Sequence, residues 1–420
     1  MNILEILYSK QKTIEELLFE EEKKIKHPLY CSVDIRHADY KMTGVDTNFF
    51  PAGFNNLCGK SIFAGASILK EYIPQHFGRI KNIILISESH SRNTFYHSSL
   101  VKIVEILQLS GYSVKVGILG LKGEYPFEIN VGDIKMHVEQ VRVHNGNVFV
   151  GDFKADLLLL NNDLSAGLPD FLTSLQIPVT PSFSLGWHER KKSNHFDCFS
   201  GFIESFARKV EIDPWLLSTI HTSVKNVAFQ TGEGMERIAE QTDLILKKIA
   251  EKYKEYNIKD DPYVFIKNNS GTYGMGIITL RKGEDIFTIN RKIKNKMTKG
   301  KNSIDIHEVF IQEGVTTTSE IQGDTSEPVI YFMGGRVIGG FFRTNREKNS
   351  TENLNSRGMS FANFCLAVQP GVQPTEGHHH CYEETSIFNA IKNSARLSNI
   401  AAALEEAKIE ERLSLATEAC

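Results

Sequence analysis

The stretch from Tyr263 to Leu280, YVFIKNNSGTYGMGIITL, constrains the fold of this chain more than any other. Tyr263, Val264, Phe265 and Ile266 form a β-rich run closed by Lys267; a polar turn follows, and Ile277 to Leu280 is apolar again, which predicts strand, loop, strand. The loop holds Gly271, Gly274 and Gly276. Glycine permits tight turns and lets backbone N–H groups approach an anion, and a lysine at the strand end adds a point charge beside a phosphate. The segment is neither a P-loop, which needs GxxxxGK followed by Ser or Thr, nor the GxGxxG that follows a first strand in dinucleotide-binding folds. A glycine-rich surface hairpin explains it equally well when it is taken alone. A second strand pattern favours a site: Glu308 to Ile311 runs into Gln312, Glu313, Gly314 and Val315, and two more apolar runs follow at Val329 to Met333 and Val337 to Phe342.

With 420 residues the chain buries a large core and divides into two or three domains. Lys and Arg total 48 against 51 Asp and Glu, a formal net charge of -3, so no strongly basic face is implied and no nucleic-acid partner is expected. The 26 phenylalanines lie in mixed apolar runs, which suits core packing better than base stacking. No apolar run approaches the roughly 20 residues that span a bilayer. Cys31, Cys58, Cys198, Cys365, Cys381 and Cys420 form no CxxC pair, and no secretory leader pattern opens the chain. A reduced, cytoplasmic setting follows, with the cysteines buried or free.

Residues 1 to 26 read as one helix, stopped by His27 and Pro28. From Cys31 to Lys60 polar residues crowd among glycines and a proline, and the stretch reads as largely loop. There Arg36 and Lys41 suit a substrate carboxylate, and Asp34 or Asp46 an ammonium, whereas a solvated loop full of turns is the plain alternative. Ile83 to Ser87 is a short buried strand ending in Glu88 to Asn93, and Ala155 to Leu160 ends in Asn161, Asn162 and Asp163; polar residues at strand carboxyl ends are where open α/β sheets place ligands. Val131 to Val150 reads as a hairpin. Trp187 to Lys192 and on to His195 is a third polar cluster, equally readable as a solvated run between domains. Pro214 to Val224 reads as helical, and Gly234 to Tyr256 as a long amphipathic helix with Ile238, Leu244, Ile245 and Ile249 on its apolar side. Gly283 to Ser303 is a lysine-rich insertion of helical character. Beyond it, Glu320, Asp324 and Glu327, then Arg343, Asn345 and Arg346, then Glu352, Asn353, Asn355 and Arg357 supply both cations for phosphate and oxygen donors for magnesium. The GHHHC of Gly377 to Cys381 invites a metal, but sequence neighbours point apart, and a loop is the better reading. Thr385 to Ala419 closes the chain as a helix.

Lys267, the GTYGMG loop and the strand leading into QEGV resemble the ATP-grasp fold, in which two α+β lobes hold ATP between them. More narrowly, DIRHADYKMTGVDTNFFPAGFNNL, SESHSRNTFY, NNDLSAG, FIKNNSGTYGMGI, VFIQEGV, EPVIYF and ENLNSRGM resemble the proteobacterial type of glutamate–cysteine ligase, from about Cys31 to the last helix. The resemblance implies an α/β class with an ATP-grasp-like fold: an amino-terminal α/β substrate domain over 1–195, a helical linking region over 196–260 and a nucleotide-binding region over 261–420. It implies ATP-driven amide formation between the γ-carboxyl of L-glutamate and the amine of L-cysteine through an acyl phosphate, the first step of glutathione synthesis, with ATP and Mg2+ as cofactors and no membrane partner. By that resemblance Lys267, Ser270, Gly271, Gly274, Gly276, Gln312, Glu313 and Val315 hold the nucleotide, and Arg343 and Lys267 act on the transferred phosphate. Asp34, Arg36, Asp46, Asn48, Arg92, Asn93, Asp163 and Asn353 are the substrate-binding set, with Arg36 and Arg92 leading for the glutamate α-carboxylate. ATP-grasp enzymes commonly bind metal through an acid and a Glu-x-Asn; the tail here has no such motif, and Glu327, Glu352 and Asn355 stand in for it. Another ATP-grasp carboxylate–amine ligase, a non-enzymatic ATP-binding regulator and a scaffold are the competing readings, and a homo-oligomer is left open.

Overall fold

The computed structural model describes residues 2–88, 93–120, 127–271, 276–298, 306–364 and 386–418. In chain order these run through α1 (Ile3–Ser9), α2 (Gln11–Glu22), β1 (Tyr30–Ala38), β2 (Lys41–Asn48), α3 (Gly59–Phe77), β3 (Asn82–Ser87), α4 (Thr94–Leu109), β4 (Ser113–Ile118), β5 (Phe127–Val131), β6 (Ile134–Gln140), β7 (Arg142–His144), β8 (Asn147–Val150), β9 (Phe153–Lys154), β10 (Leu157–Leu160) and β11 (Val179–Thr180). They continue through α5 (Lys192–Val210), β12 (His221–Lys225), α6 (Met235–Glu255), β13 (Val264–Asn268), β14 (Ile278–Leu280), α7 (Arg291–Thr298), β15 (Glu308–Glu313), β16 (Glu320–Ile321), β17 (Asp324–Met333), β18 (Arg336–Asn345), β19 (Met359–Phe364) and α8 (Ser386–Glu418). The class is the mixed α/β expected.

Three sheets set the site. In the order β11-β10-β3-β4-β6 the strands are parallel, with β5 antiparallel at the edge. The unbroken apolar runs of β3 and β10 have a cause: Ile83, Leu85, Leu157 and Leu159 pack in one core and Ile84, Ile86, Leu158 and Leu160 in another, so both faces are covered. A larger antiparallel sheet runs β19-β18-β17-β1-β2, with β16 against β17. A smaller one runs β12-β15-β13-β14, and α6 packs on it. The boundaries drawn at 195 and 260 do not separate the sheets: the large sheet joins β1 and β2 to strands beyond 320, and β12 lies in the small sheet with β13 to β15.

The segment after Cys31 is not largely loop. Cys31, Val33 and Ile35 alternate with Ser32, Asp34 and Arg36, and the first set packs in the main core, where Ala395 and Ile400 of α8 also lie. The second set faces a cavity. Other departures are local. The first helix breaks at Lys10 into α1 and α2. After a short 3-10 turn, Pro214–Leu216, the expected helix gives way to β12, whose ladder with β15 satisfies its backbone. The expected single hairpin is two, β5–β6 and β7–β8. Among the described residues, the lysine-rich insertion holds a 3-10 turn at Gly283–Thr288 and the short α7. Leu244 is exposed, while Ile238, Ile245 and Ile249 form the buried stripe of α6. Cys31 and Cys198 are buried free thiols; Cys58 is disulfide-bonded, against the expectation of free cysteines. The GHHHC segment lies outside the described residues. Among those that are described, no helix is long and apolar enough to cross a membrane.

Candidate active site

The large sheet, the small sheet and the carboxyl ends of β3 and β10 enclose a cavity of about 880 Å³. On the small-sheet side, Lys267 near the end of β13 is buried and donates to Gln312 Oε1 at 2.6 Å and to the Val45 carbonyl at 3.1 Å. That carbonyl is free because β2 bulges: Asp46 pairs Asp34 and Gly44 pairs Ile35, leaving Val45 without an opposite residue. Burial pushes the Lys267 ammonium down to about 8, with the Asp46 carboxylate resisting the shift.

The large-sheet side is a lattice of charges on three adjacent strands. Arg343 of β18 donates from one nitrogen to Asp34 Oδ2 at 2.7 Å and to Glu327 Oε1 at 2.6 Å. The Arg36 Nε of β1 meets Glu327 Oε2 at 2.6 Å, and its other nitrogens donate to the Ser350 and Glu352 carbonyls at 3.0 and 2.7 Å. Two arginines thus balance two carboxylates. Burial raises the Asp34 carboxyl despite Arg343, whereas for Glu327 burial is outweighed by Arg36 and Arg343 together and the carboxyl is lowered. The buried Nε of Arg343 has no hydrogen-bond partner among the described residues.

A third group comes from the polar cluster that was equally readable as a solvated run. Lys192 pairs with Asp46, and Arg190 is fully enclosed, held by Glu405 of α8 at 2.8 and 3.0 Å and donating to the Thr47 carbonyl at 3.0 Å. Its guanidinium carbon lies 4.6 Å from the Phe49 ring centroid and 4.7 Å from that of Trp187, and both rings line the cavity. Trp187 also covers Gly271: a Cβ there would sit 2.4 Å from the indole, and Gly271 has φ +71. Glycine is required on both counts.

Sequence reasoning placed Lys267, Gly271, Gln312, Glu313, Val315, Asp34, Arg36, Asp46, Asn48, Asn93, Asp163, Asn353 and Arg343 in one site, and all of these line the cavity. Ser270 stands off it, its hydroxyl accepting from Lys191 at 2.7 Å, and Gly276 packs against Lys296. Arg92 and Gly274 lie outside the described residues. Lys41 does not face a substrate; it is wholly buried against Glu313 Oε1 at 2.5 Å, where Trp215 Nε1 and the Ile220 N–H also bind that carboxylate. The metal trio is not assembled. Glu327 is committed to two arginines, Glu352 bonds Lys348 and the Asn349 N–H within its own loop, and of the trio's side chains only Glu327 and Asn355 reach the cavity. No cluster of three or more His, Cys, Asp or Glu able to hold a metal occurs among the described residues. Trp187, Lys192, Phe265, Asn55 and Asn56 line the cavity and were not in the candidate set; the unusual WHERKKSNH string was the available signal for the first two.

A buried lysine thus stands across one cavity from a wall of arginines and carboxylates. The family model for glutamate–cysteine ligase matches residues 5–406, and the chain belongs to that family. It is a ligase, of a family that joins glutamate to cysteine in glutathione synthesis. A solved structure from Methylobacillus flagellatus, named "Putative gamma-glutamylcysteine synthetase", is 33% identical over 97% of this chain and 96% of its own, with a TM-score of 0.85. A glutathione synthetase-like effector from Globodera pallida (12% identical, 85% and 83% covered, TM-score 0.36) and a D-alanyl-alanine synthetase A from Vibrio cholerae (10%, 67% and 73%, 0.31) are too distant to inform the site. No curated protein matches the chain.

Proposed function

We propose that the cavity is the active site in which ATP activates the γ-carboxyl of L-glutamate and the amine of L-cysteine displaces phosphate. The observation that carries this is the meeting of Lys267 and Gln312 on one wall with Asp34, Arg36, Asp46 and Arg343 on the other. The sheet-loop-lysine arrangement fits an ATP-grasp-like nucleotide site, with Lys267 against phosphate and the segment Gln312 to Val315 against the base. In the first step a γ-carboxylate oxygen of glutamate bonds to the terminal phosphorus as the bond to ADP breaks. The cysteine nitrogen then attacks the acyl carbon, the tetrahedral intermediate expels phosphate, and the amine proton is lost. No enzyme nucleophile is needed; the protein positions the partners and offsets charge.

Arg343 supports charge compensation at the transferred phosphate, since it lines the cavity and its buried Nε has no partner among the described residues. Asp46 and Lys192, a pair whose charges both act on Lys267, suit an amino acid's ammonium and carboxylate. ATP enters with Mg2+ held chiefly by its own phosphates, because the carboxylates of Asp34, Asp46, Glu313 and Glu327 are engaged by lysine or arginine; no step is assigned to a protein-bound metal. A cytoplasmic location suits this chemistry. The test is ADP release with glutamate, aspartate or glutamine, each paired with cysteine. Glutamate is expected to be preferred, since the aspartate carboxyl falls one methylene short; release that is indifferent to the amino acid would overturn the assignment.

A further inference from the structure

We infer that Glu405, on the carboxy-terminal helix and outside the cavity, is a positioning residue for the reaction. It rests on the reading of the cavity as the ligase site. Glu405 is 1% exposed, and its two oxygens take a fork from Arg190 at 2.8 and 3.0 Å while His195 donates from Nδ1 at 3.0 Å. Burial holds His195 down, so its ring is neutral and the charge on Glu405 is matched by Arg190 alone. A forked arginine has one orientation. In that orientation its guanidinium carbon lies over the rings of Phe49 and Trp187, and its remaining nitrogen donates to the Thr47 carbonyl, one residue after Asp46. Lys192, two residues after Arg190, then reaches Asp46.

One carboxylate therefore fixes four cavity-lining groups: Phe49, Trp187, Asp46 and Lys192. Trp187 in turn roofs Gly271, where the glycine turn begins. A purely structural ion pair would stabilise the helix and leave the substrate constants untouched. Burying this pair is costly enough that stability alone is a weak reason for it. A displacement of about 1 Å far from the chemistry is felt in the kinetics.

The experiment compares wild type with Glu405→Gln, which keeps the size but drops the charge and turns one acceptor oxygen into an N–H donor, so the fork from Arg190 is lost. The chain has two tryptophans, so in a Trp215→Phe background acrylamide quenching reads Trp187 directly. Expected are faster quenching of Trp187 and a rise of about tenfold in the amino-acid KM, with a smaller fall in kcat, in protein whose melting shows it folded. Glu405→Asp, which keeps the charge on a shorter arm, should recover part of both. Unchanged quenching, or quenching that changes while KM and kcat stay within twofold of wild type, overturns the proposal. Should Glu405→Gln not fold, Arg190→Lys, which keeps the charge and loses the fork, is judged by the same readouts. Lys267→Ala separates the two possible failures: if it keeps wild-type ATP affinity and turnover the reading of the cavity has failed, and if it loses them while Glu405→Gln does not, the positioning has failed.

Discussion

The two walls of the cavity solve opposite electrostatic problems. On the large sheet, Asp34, Arg36, Glu327 and Arg343 are already matched to one another, so charges are buried but locally cancelled. On the small sheet, the hydrogen bonds that Lys267 makes among the described residues go to an amide and a carbonyl oxygen, and burial outweighs the pull of the Asp46 carboxylate so that its proton is held weakly. A matched wall keeps its shape whether or not substrate is present. An unmatched lysine is completed by an anion, which makes its wall the responsive one.

Arg343→Ala attacks the matched wall and should have the largest effect. It strands Asp34 and leaves Glu327 with Arg36 alone, and removing one partner of a buried pair costs about 3–5 kcal/mol. A large drop in melting temperature together with lost turnover is expected; a variant as stable as wild type would show that the lattice is not matched as described.

Lys267→Ala attacks the other wall and strands no carboxylate of its own. Melting should be nearly unchanged, while kcat/KM for ATP falls about 100-fold, equivalent to roughly 2.7 kcal/mol. Equal losses of stability in the two variants would erase the distinction between the walls.

The lysine's titration sharpens it further. With the free-site ammonium at about 8, an arriving phosphate favours the protonated form, so nucleotide affinity should fall toward tenfold per pH unit above about 8. Lys267→Arg should flatten that fall; an identical profile in both proteins would assign it elsewhere. Lys41 is likewise depressed to about 8. Both lysines lose their proton in the folded chain before the unfolded one does at 10.5, so the unfolded state binds more protons across that window and each contribution adds stability as pH rises through it. The smallest effect is expected from Gly271→Ala, where the positive φ alone costs about 1–2 kcal/mol and Trp187 must shift. Quenching of Trp187 checks this.

Much of the small-sheet wall was legible because its signals are local: a strand closed by Lys267, a glycine turn and a second strand. The large-sheet wall was misread. Asp34 and Arg36 look like loop residues by type, yet CSVDIRHA alternates with period two, and only the presence of covers on both faces tells that its polar half is also buried. Pairing of residue 34 with residue 343 across the sheet has no local trace. The partners of the metal trio were hidden for the same reason: composition shows that Glu327 is an acid, but only the fold shows that two arginines hold it. Glu405 drew no attention on a helix full of glutamates.

The bulge at Val45 makes that position unlike its neighbours under insertion and deletion. Before it, Gly44 turns toward Ser398 of α8; after it, Asp46 and Asn48 turn toward the cavity, so the strand changes parity at one residue. Removing that single codon would restore plain alternation with every remaining side chain on its present face. A shortened chain should fold and still present its aspartate, lacking only the carbonyl that steadies Lys267. The surplus residue supplies the oxygen atom that Lys267 binds.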